Sequence, residues 1–252
     1  MFRVDVAVVT RDPRSLYRAV ALLKQMDVSF AVCDQEDPAL QNAQVILTDD
    51  VETSEQDPRT VIMNNDDQIT MLEILLRLRG ISTPSTIVIG VDPGMRFGLA
   101  LVIDRAVILK HTAVSPPDAA TTTKHWIKYL MSRFPMCRTM IRIGTGSKLF
   151  AVMYLREVSD VETALIEIVN ECNTSVSVGP GADSSSAVLI ANRTGRSVSG
   201  NDYVVSTRSG NLESIRRLHT YLTQGKGHLS NEDARAIVEG HKLLSDLLDE
   251  PD

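Results

Sequence analysis

The chain has 252 residues, of which 43% are hydrophobic and 23% charged, which is typical of a globular protein. This length suits one large domain or two modest ones. No apolar run approaches the roughly 18 residues that a membrane-spanning helix needs. The first five residues alternate between apolar and polar like a strand, and no secretory hydrophobic segment is expected there. We therefore expect no membrane partner and a cytoplasmic location.

The cysteines and the charge distribution narrow the range of functions further. Cys33, Cys137 and Cys172 are far apart and lack CxxC spacing, so they are expected to be buried thiols, not disulfides or zinc ligands. The net charge of −6 argues against a broadly basic surface. It is concentrated in residues 1–80, which hold 8 basic and 14 acidic residues, whereas residues 81–252 hold 18 of each.

Residues 1–80 predict a small Rossmann-like α/β domain. Asp12-Pro13 is a typical helix start, with Asp as N-cap and Pro at the first helical position, and Asp66 or Asp67 can cap a second helix that ends at Gly80. Short apolar strands that alternate with helices favour a parallel sheet covered on both faces. The predicted strands are Val4–Val9, Val28–Cys33, Val45–Leu47 and Val61–Met63.

Residues 81–85 are a predicted linker, because small polar residues and a proline resist helix formation. Residues 86–248 form the second predicted domain, and residues 249–252 a disordered acidic tail. Three short strands open this domain, and a helix and a fourth strand follow. The predicted strands are Thr86–Val91, Gly98–Ile103, Ala106–Thr112, Thr139–Ile143 and Ala164–Val169. The predicted helices are Asp118–Arg133, Lys148–Glu157, Ser184–Asn192, Leu212–Leu222 and Asn231–Leu248.

The segment from Gly90 to Ala100, GVDPGMRFGLA, carries the most specific motif: an aspartate at the end of an apolar strand, then proline and glycine, then a glycine that opens the next strand. It resembles the first hairpin of the RuvC family of Holliday-junction resolvases and their YqgF relatives. The resemblance covers roughly residues 86–245 and implies an RNase H-like fold. A small α/β domain ahead of a RuvC-like one is also similar to an archaeal family, a likeness that implies no function.

This resemblance implies two-metal phosphodiester hydrolysis, in which a cluster of carboxylates holds Mg²⁺ or Mn²⁺. Asp92 would be the first catalytic metal ligand and Asp233, in the family's acid-x-x-Asp-Ala pattern, the last. The family's strand-four acid is replaced here by Gly144, and its earlier helix acid by Ser230. Glu232 is a substitute ligand outside the pattern. Losing the strand-four acid should cost orders of magnitude in rate.

Structural explanations compete with each of these assignments. Asp92 can simply start a β-turn, and Ser230 and Asp233 have capping-box spacing. Glu232 can be a solvated acid of the first helical turn. The loop Gly144-Thr145-Gly146-Ser147 precedes a helix and is a candidate phosphate-binding loop, but it lacks the P-loop ending and can be an ordinary turn.

A basic segment, residues 193–226, is the candidate nucleic-acid-binding surface. It contains two acids, Asp202 and Glu213, and two tyrosines, Tyr203 and Tyr221. A solvated basic surface is the competing interpretation. Its cations are Arg193, Arg196, Arg208, Arg216, Arg217 and Lys226.

The sequence thus predicts a nucleic-acid-processing protein: a Mg²⁺-dependent, structure-specific nuclease with an altered metal site, or a relative that binds branched or structured nucleic acid without cutting it. The first alternative is a non-catalytic scaffold whose partner is another protein or a second copy of the chain. The second is a nucleotide-binding protein of the actin-like class. That class shares the strand-Asp-x-Gly opening but needs another such phosphate loop, which residues 1–80 lack.

Overall fold

The computed structural model describes residues 4–34, 36–50, 57–170 and 182–248. It divides into two compact units, Met1–Thr83 and Pro84–Asp252, whose boundary falls within the predicted linker. Cys172 and the predicted acidic tail lie outside the described residues. None of the helices in the described ranges is long and apolar enough to cross a membrane.

The first unit is an all-parallel α/β sheet, as predicted. Its strand order is β2-β1-β3-β4. The strands are β1 (Val6–Val9), β2 (Phe30–Val32), β3 (Val45–Thr48) and β4 (Thr60–Ile62), and the helices are α1 (Pro13–Met26), α2 (Ala39–Asn42) and α3 (Asp67–Leu78). Apolar side chains are buried on both faces of the sheet, around Leu23 and Ile74 on one and around Cys33 and Ile46 on the other. This two-sided burial explains why the strands are continuous apolar runs.

The second unit contains a mixed six-stranded sheet. Its strands are β5 (Thr86–Asp92), β6 (Phe97–Ile103), β7 (Ala106–Ala113), β8 (Arg138–Gly144), β9 (Leu165–Val169) and β10 (Arg196–Ser197). Their order is β10-β9-β8-β5-β6-β7. β5, β8 and β9 are mutually parallel, β6 is antiparallel to β5 and β7, and β10 is antiparallel to β9. A bulge between Leu101 and Val102 interrupts the β6–β7 ladder, and β7 forms one edge of the sheet.

Helices of the second unit contact both faces of this sheet. They are α4 (Pro116–Arg133), α5 (Lys148–Glu157), α6 (Ala182–Asn192), α7 (Ser209–Leu222), α8 (Asn231–Glu239) and α9 (Ser245–Leu248), with a 3₁₀ helix at Gly200–Tyr203. On one face α6 crosses β5, β6 and β8. On the other face α5 packs its aromatic side chains on Phe97, whose ring lies 6.2 Å from that of Phe150 and 5.9 Å from that of Tyr154.

Three sequence predictions about helices and strands were wrong in detail. Helix α4 starts at Pro116 and not at Asp118, because Ser115 is the N-cap and two prolines fit the first helical positions. The predicted last helix ends at Glu239, since Gly240 adopts a left-handed conformation with φ of 85°. Between the predicted helices Ser184–Asn192 and Leu212–Leu222, where no strand or helix was predicted, the chain forms β10 and the 3₁₀ helix.

Candidate functional site

Asp92 and Gly144 lie next to each other at the carboxyl ends of the two central strands. Val91 pairs with Ile143 in the parallel register of β5 and β8, so the following residues, Asp92 and Gly144, are neighbours. Gly144 is thus at the position where a second carboxylate would face Asp92. The glycine therefore offers no side chain beside Asp92 at this sheet edge.

The alternation of side chains along β5 places Asp92 on the same face as Gly90, the face that α6 crosses. A Cβ at Gly90 would lie 2.1 Å from the carbonyl oxygen of Ala187 and 2.7 Å from the Cβ of Ala191. Only a residue without a side chain permits this contact. Gly90 therefore allows α6 to pack directly on the strand that carries Asp92.

Asp233 is part of a helix cap. Its backbone N–H donates to the Ser230 hydroxyl at 3.0 Å, and its carboxylate accepts the Ser230 hydroxyl at 2.6 Å and the Lys242 ammonium at 2.9 Å. The Ser230 hydrogen bond, followed by that from Lys242, lowers the pKa of Asp233. Both of its oxygens are therefore engaged, one of them by a cation. Glu232 is exposed in the first turn of the same helix.

A further acid, Glu167, is also engaged. Its carboxylate accepts a hydrogen bond from Arg142 Nε at 2.8 Å, and the two side chains are only 16% and 14% exposed. Arg142 also donates to the carbonyl oxygen of Ala191 at 2.6 Å, near the end of α6. Arg142 belongs to β8 and lies two residues before Gly144, on the same face of the sheet. This ion pair, which the motif did not indicate, links β8, β9 and α6.

These residues provide few donors for a metal pair. In the described ranges no three His, Cys, Asp or Glu side chains come together as a group that could hold a metal ion. A pair of divalent ions needs a cluster of carboxylates, and an ammonium on Asp233 competes for the same oxygen atoms. The residues that the structure describes thus do not fit a two-metal centre, and Mg²⁺ or Mn²⁺ binding stays a prediction.

The predicted phosphate loop borders a pocket of about 520 Å³ at the carboxyl ends of β8 and β9. The Thr145 hydroxyl donates to the carbonyl oxygen of Val169 at 3.4 Å, and Ser147, the N-cap of α5, makes no side-chain capping hydrogen bond. The lining residues are Thr145, Ile168, Asn170, Thr194, Gly195 and Arg196. Asn170 and Thr194 carry no sequence motif. Asn170 directly follows β9, and the connection between α6 and β10 brings Thr194 to this place.

Three of the six cations of the predicted basic segment form local ion pairs, with two carboxylates between them. Arg196 binds Asp202 through both guanidinium nitrogens, which lowers the pKa of that carboxyl. Arg216 and Arg217 share Glu213, at 3.4 and 3.2 Å. The spacing of Ser199 and Asp202, a capping box, could have indicated that Asp202 is held in place.

The other three cations of the segment have no carboxylate partner in the described part of the chain. They are Arg193, whose guanidinium donates only to the carbonyl oxygen of Asn170 at 3.4 Å, Arg208 and Lys226. Tyr221, one turn after Arg217 on α7, is 54% exposed. A hydrophobic ring of this exposure beside cations is a surface on which a nucleic-acid base can stack.

The first unit has a larger pocket, of about 980 Å³, at the carboxyl ends of its parallel strands. Arg11 is its only basic lining residue among those described, and its acidic ones are Asp12, Asp34, Glu36, Asp37, Asp49 and Asp50. Two predicted acids have structural roles: Asp49 accepts a hydrogen bond from Thr10 at 2.7 Å, and Asp66 caps α3. This excess of negative charge disfavours nucleotide phosphates.

Two comparisons with known proteins were negative: no family model matches the chain, and no curated protein matches its sequence.

Proposed function

We propose that the second unit is an RNase H-like domain, related to RuvC, which binds structured nucleic acid and does not hydrolyse it. The observation that carries this proposal is the adjacency of Asp92 and Gly144 at the ends of β5 and β8. These two positions are the ones at which the RuvC resemblance implies a pair of metal ligands, and the second of them is a glycine, which cannot bind a metal through its side chain.

The strand arrangement supports the RNase H-like part of the proposal. Three antiparallel strands come first, and the fourth and fifth, β8 and β9, then extend the sheet in parallel from β5 on its other side. This is the order that the motif around Asp92 implies. The absence of hydrolysis in this proposal is based on the available metal ligands. The Asp233 carboxylate already accepts hydrogen bonds from Ser230 and Lys242.

The nucleic-acid part of the proposal rests on charge and exposure. Arg193, Arg208 and Lys226 have no carboxylate partner among the described residues, and Tyr221 is exposed near them in sequence. Cations that are not neutralised by the protein can displace counterions from phosphates, which is the main source of affinity for nucleic acids. Exposed tyrosine adds stacking, which favours unpaired bases.

The test compares binding and cleavage of fluorescein-labelled single-stranded, duplex and branched DNA and RNA, with and without Mg²⁺ or Mn²⁺. We expect binding without cleavage. The double variant Arg208→Gln/Lys226→Gln should weaken binding and lower the salt dependence by about 1 per cation removed. The matched control is Lys110→Gln/Lys128→Gln, which removes two exposed lysines of β7 and α4.

Three results would count against the proposal. Cleavage that disappears in Asp92→Asn would show a working nuclease and reject the non-hydrolytic version. Equal losses in the double variant and in the control would reject the basic segment as the surface. Absence of binding to every substrate would reject nucleic acid as the partner and favour the scaffold alternative.

A further inference from the structure

The pocket at the carboxyl ends of β8 and β9 combines an arginine with neutral donors. Arg196 lies on its wall together with the hydroxyl groups of Thr145 and Thr194. Among the residues that the structure describes, no carboxylate lines it. A site of this composition suits an anion with several acceptor oxygens, such as a phosphoryl group.

Asp202 holds the Arg196 side chain in a fixed orientation. The carboxylate accepts from Nη1 at 2.7 Å and from Nη2, and it is itself fixed by the backbone N–H and the hydroxyl of Ser199, both at 2.8 Å. A guanidinium has five N–H groups. Three of them donate to Asp202 and to the carbonyl oxygen of Ser197. The second N–H group of Nη2 and the N–H group of Nε make no hydrogen bond with the described residues, so two donors remain for a ligand.

Arg193 makes the surroundings of the pocket positive. Its guanidinium reaches the carbonyl oxygen of Asn170, a lining residue, at 3.4 Å, and it has no carboxylate partner among the described residues. Arg196 and Asp202 cancel each other as formal charges, whereas the charge of Arg193 is not cancelled. An anion in the pocket would therefore meet one net positive charge beside an oriented guanidinium.

Gly195 keeps the wall of the pocket close to the sheet. A Cβ at this position would lie 2.7 Å from the Cβ of Glu167 and 2.9 Å from the carbonyl oxygen of Ile168. Glu167 is fixed by Arg142, so it has little freedom to move away. The backbone from Thr194 to Arg196 can follow β9 at this distance only because residue 195 has no side chain.

We propose that this pocket binds a phosphoryl group, with Arg196 and Thr194 as the principal donors and Arg193 as the charge at its rim. The source of that phosphoryl group is a backbone phosphate of bound nucleic acid, and this part of the inference rests on the proposed function. The pocket then fixes one phosphate at the sheet edge where β5 and β8 end. The basic segment contacts other phosphates of the same nucleic acid.

The first experiment detects the phosphoryl group without nucleic acid. Inorganic phosphate is titrated into the ¹⁵N-labelled full chain, with chloride at matched ionic strength as the reference, and amide shifts are followed by NMR. We expect saturable shifts at Thr194, Gly195 and Arg196. They should disappear in Arg196→Gln and weaken in Thr194→Val. The control Lys128→Gln removes an exposed cation of α4 that is neither in the pocket lining nor in the basic segment and should leave them unchanged.

The second experiment connects the pocket to nucleic acid by fluorescence anisotropy with a labelled single-stranded oligonucleotide. Loss of a charge-assisted hydrogen bond predicts about tenfold weaker binding for Arg196→Gln. Thr194→Val should weaken binding less, and Lys128→Gln should change it only through net charge. Because Arg196 holds Asp202, Thr194→Val is the variant that tests the pocket without breaking an ion pair.

The outcomes separate the two proposals. If the oligonucleotide binds equally to wild type, Arg196→Gln and Thr194→Val, the pocket inference is rejected and the proposed function stands. If no oligonucleotide binds but phosphate gives saturable shifts that Arg196→Gln removes, the proposed function fails and a phosphoryl site for a smaller ligand remains. The absence of saturable phosphate shifts in the wild type rejects the pocket as a phosphoryl site.

Discussion

Gly90 is a residue on which α6 packs without an intervening side chain, and it lies two positions before Asp92. A Cβ there would overlap the backbone of Ala187 as well as the Cβ of Ala191. Backbone cannot rotate away as a long side chain can, so the helix must shift as a whole. The position of α6 and the position of Asp92 are thus set by the same contact.

We predict that Gly90→Ala destabilises the second unit by about 1–3 kcal/mol, the usual cost of overpacking. Urea unfolding followed by circular dichroism measures this change. Gly210→Ala is the control, because a Cβ at Gly210 in α7 meets nothing within 4 Å and alanine stabilises a helix by about 0.5–1 kcal/mol relative to glycine. A Gly90→Ala variant as stable as wild type would contradict the close packing of α6.

Glu157 is a carboxyl group inside the second unit, only 9% exposed. Desolvation raises its pKa, against the opposing effect of hydrogen bonds from Ser245. A raised pKa means that the folded state binds the proton more tightly than the unfolded chain does. Its stability contribution is therefore present at low pH and is lost as the pH rises through the folded-state pKa.

We predict that Glu157→Gln becomes more stable relative to wild type as the pH rises from about 4 to about 8, because the amide cannot ionise. Urea unfolding at several pH values measures the difference. Glu162→Gln, at an exposed position, should change stability by less than about 0.5 kcal/mol throughout. A constant difference between Glu157→Gln and wild type across this pH range would refute the prediction.

At the scale of elements, the two helices that flank the predicted site begin differently. Ser230 caps α8 with a hydrogen bond from the N–H of Asp233, whereas Ser147 at the start of α5 makes no such bond. The two serines thus form a matched pair. One hydroxyl satisfies a helix N–H group and the other does not.

We predict that Ser230→Ala costs about 0.5–2 kcal/mol of unfolding free energy, the typical value of an N-cap, and that Ser147→Ala costs clearly less. Thermal and urea unfolding measure both. Asp233→Asn is informative beside them, because it weakens the contact with Lys242 but retains an acceptor for Ser230. Equal costs for the two serine variants would show that the Ser230 hydrogen bond does not stabilise α8.

Most elements followed from local patterns in the sequence. The parallel sheet of the first unit, the helix over Lys148–Glu157 and the hairpin after Asp92 depend on apolar periodicity and on turn residues. The errors came from residues with two local roles. Proline both ends and begins helices, so the start of α4 was predicted at Asp118 and not at Pro116, and Gly240 was overlooked as a helix end.

The candidate site was less predictable, because it depends on contacts between distant segments. The sequence indicated Asp92, Gly144 and the capping spacing of Ser230. It did not indicate that Lys242 would bind Asp233, or that Arg142 would bind Glu167. Such ion pairs are set by strand register and helix packing, which the order of residues alone does not reveal.

At the scale of the whole molecule, the charge is divided between the two units. Residues 1–80 hold 8 basic and 14 acidic residues, and residues 81–252 hold 18 of each. An acidic unit on the same chain repels a phosphate backbone over roughly one Debye length, about 10 Å at 0.1 M salt. The first unit should thus lower the affinity of the second for nucleic acid.

We predict that a fragment starting at Pro84 folds, since contacts group residues 84–252 into a unit of their own, and that it binds oligonucleotides more tightly than the full chain. The difference should shrink as salt is raised, because screening removes the repulsion. Circular dichroism and fluorescence anisotropy check the two parts. Tighter binding by the full chain would instead mean that residues 1–83 contribute to the nucleic-acid surface.

The edges of the second sheet bear on how the protein resists aggregation. β10, at one edge, has only two residues, too few to template another strand. β7, at the other, has eight residues, and its backbone groups facing outward are able to pair with a neighbouring chain. The bulge opposite Leu101 and Val102 and the exposed Lys110 make this edge irregular and charged, which disfavours edge-to-edge growth. Of the two edges of the second sheet, β7 is therefore the one at which another strand could add, and replacing Lys110 with an apolar residue is expected to promote such pairing.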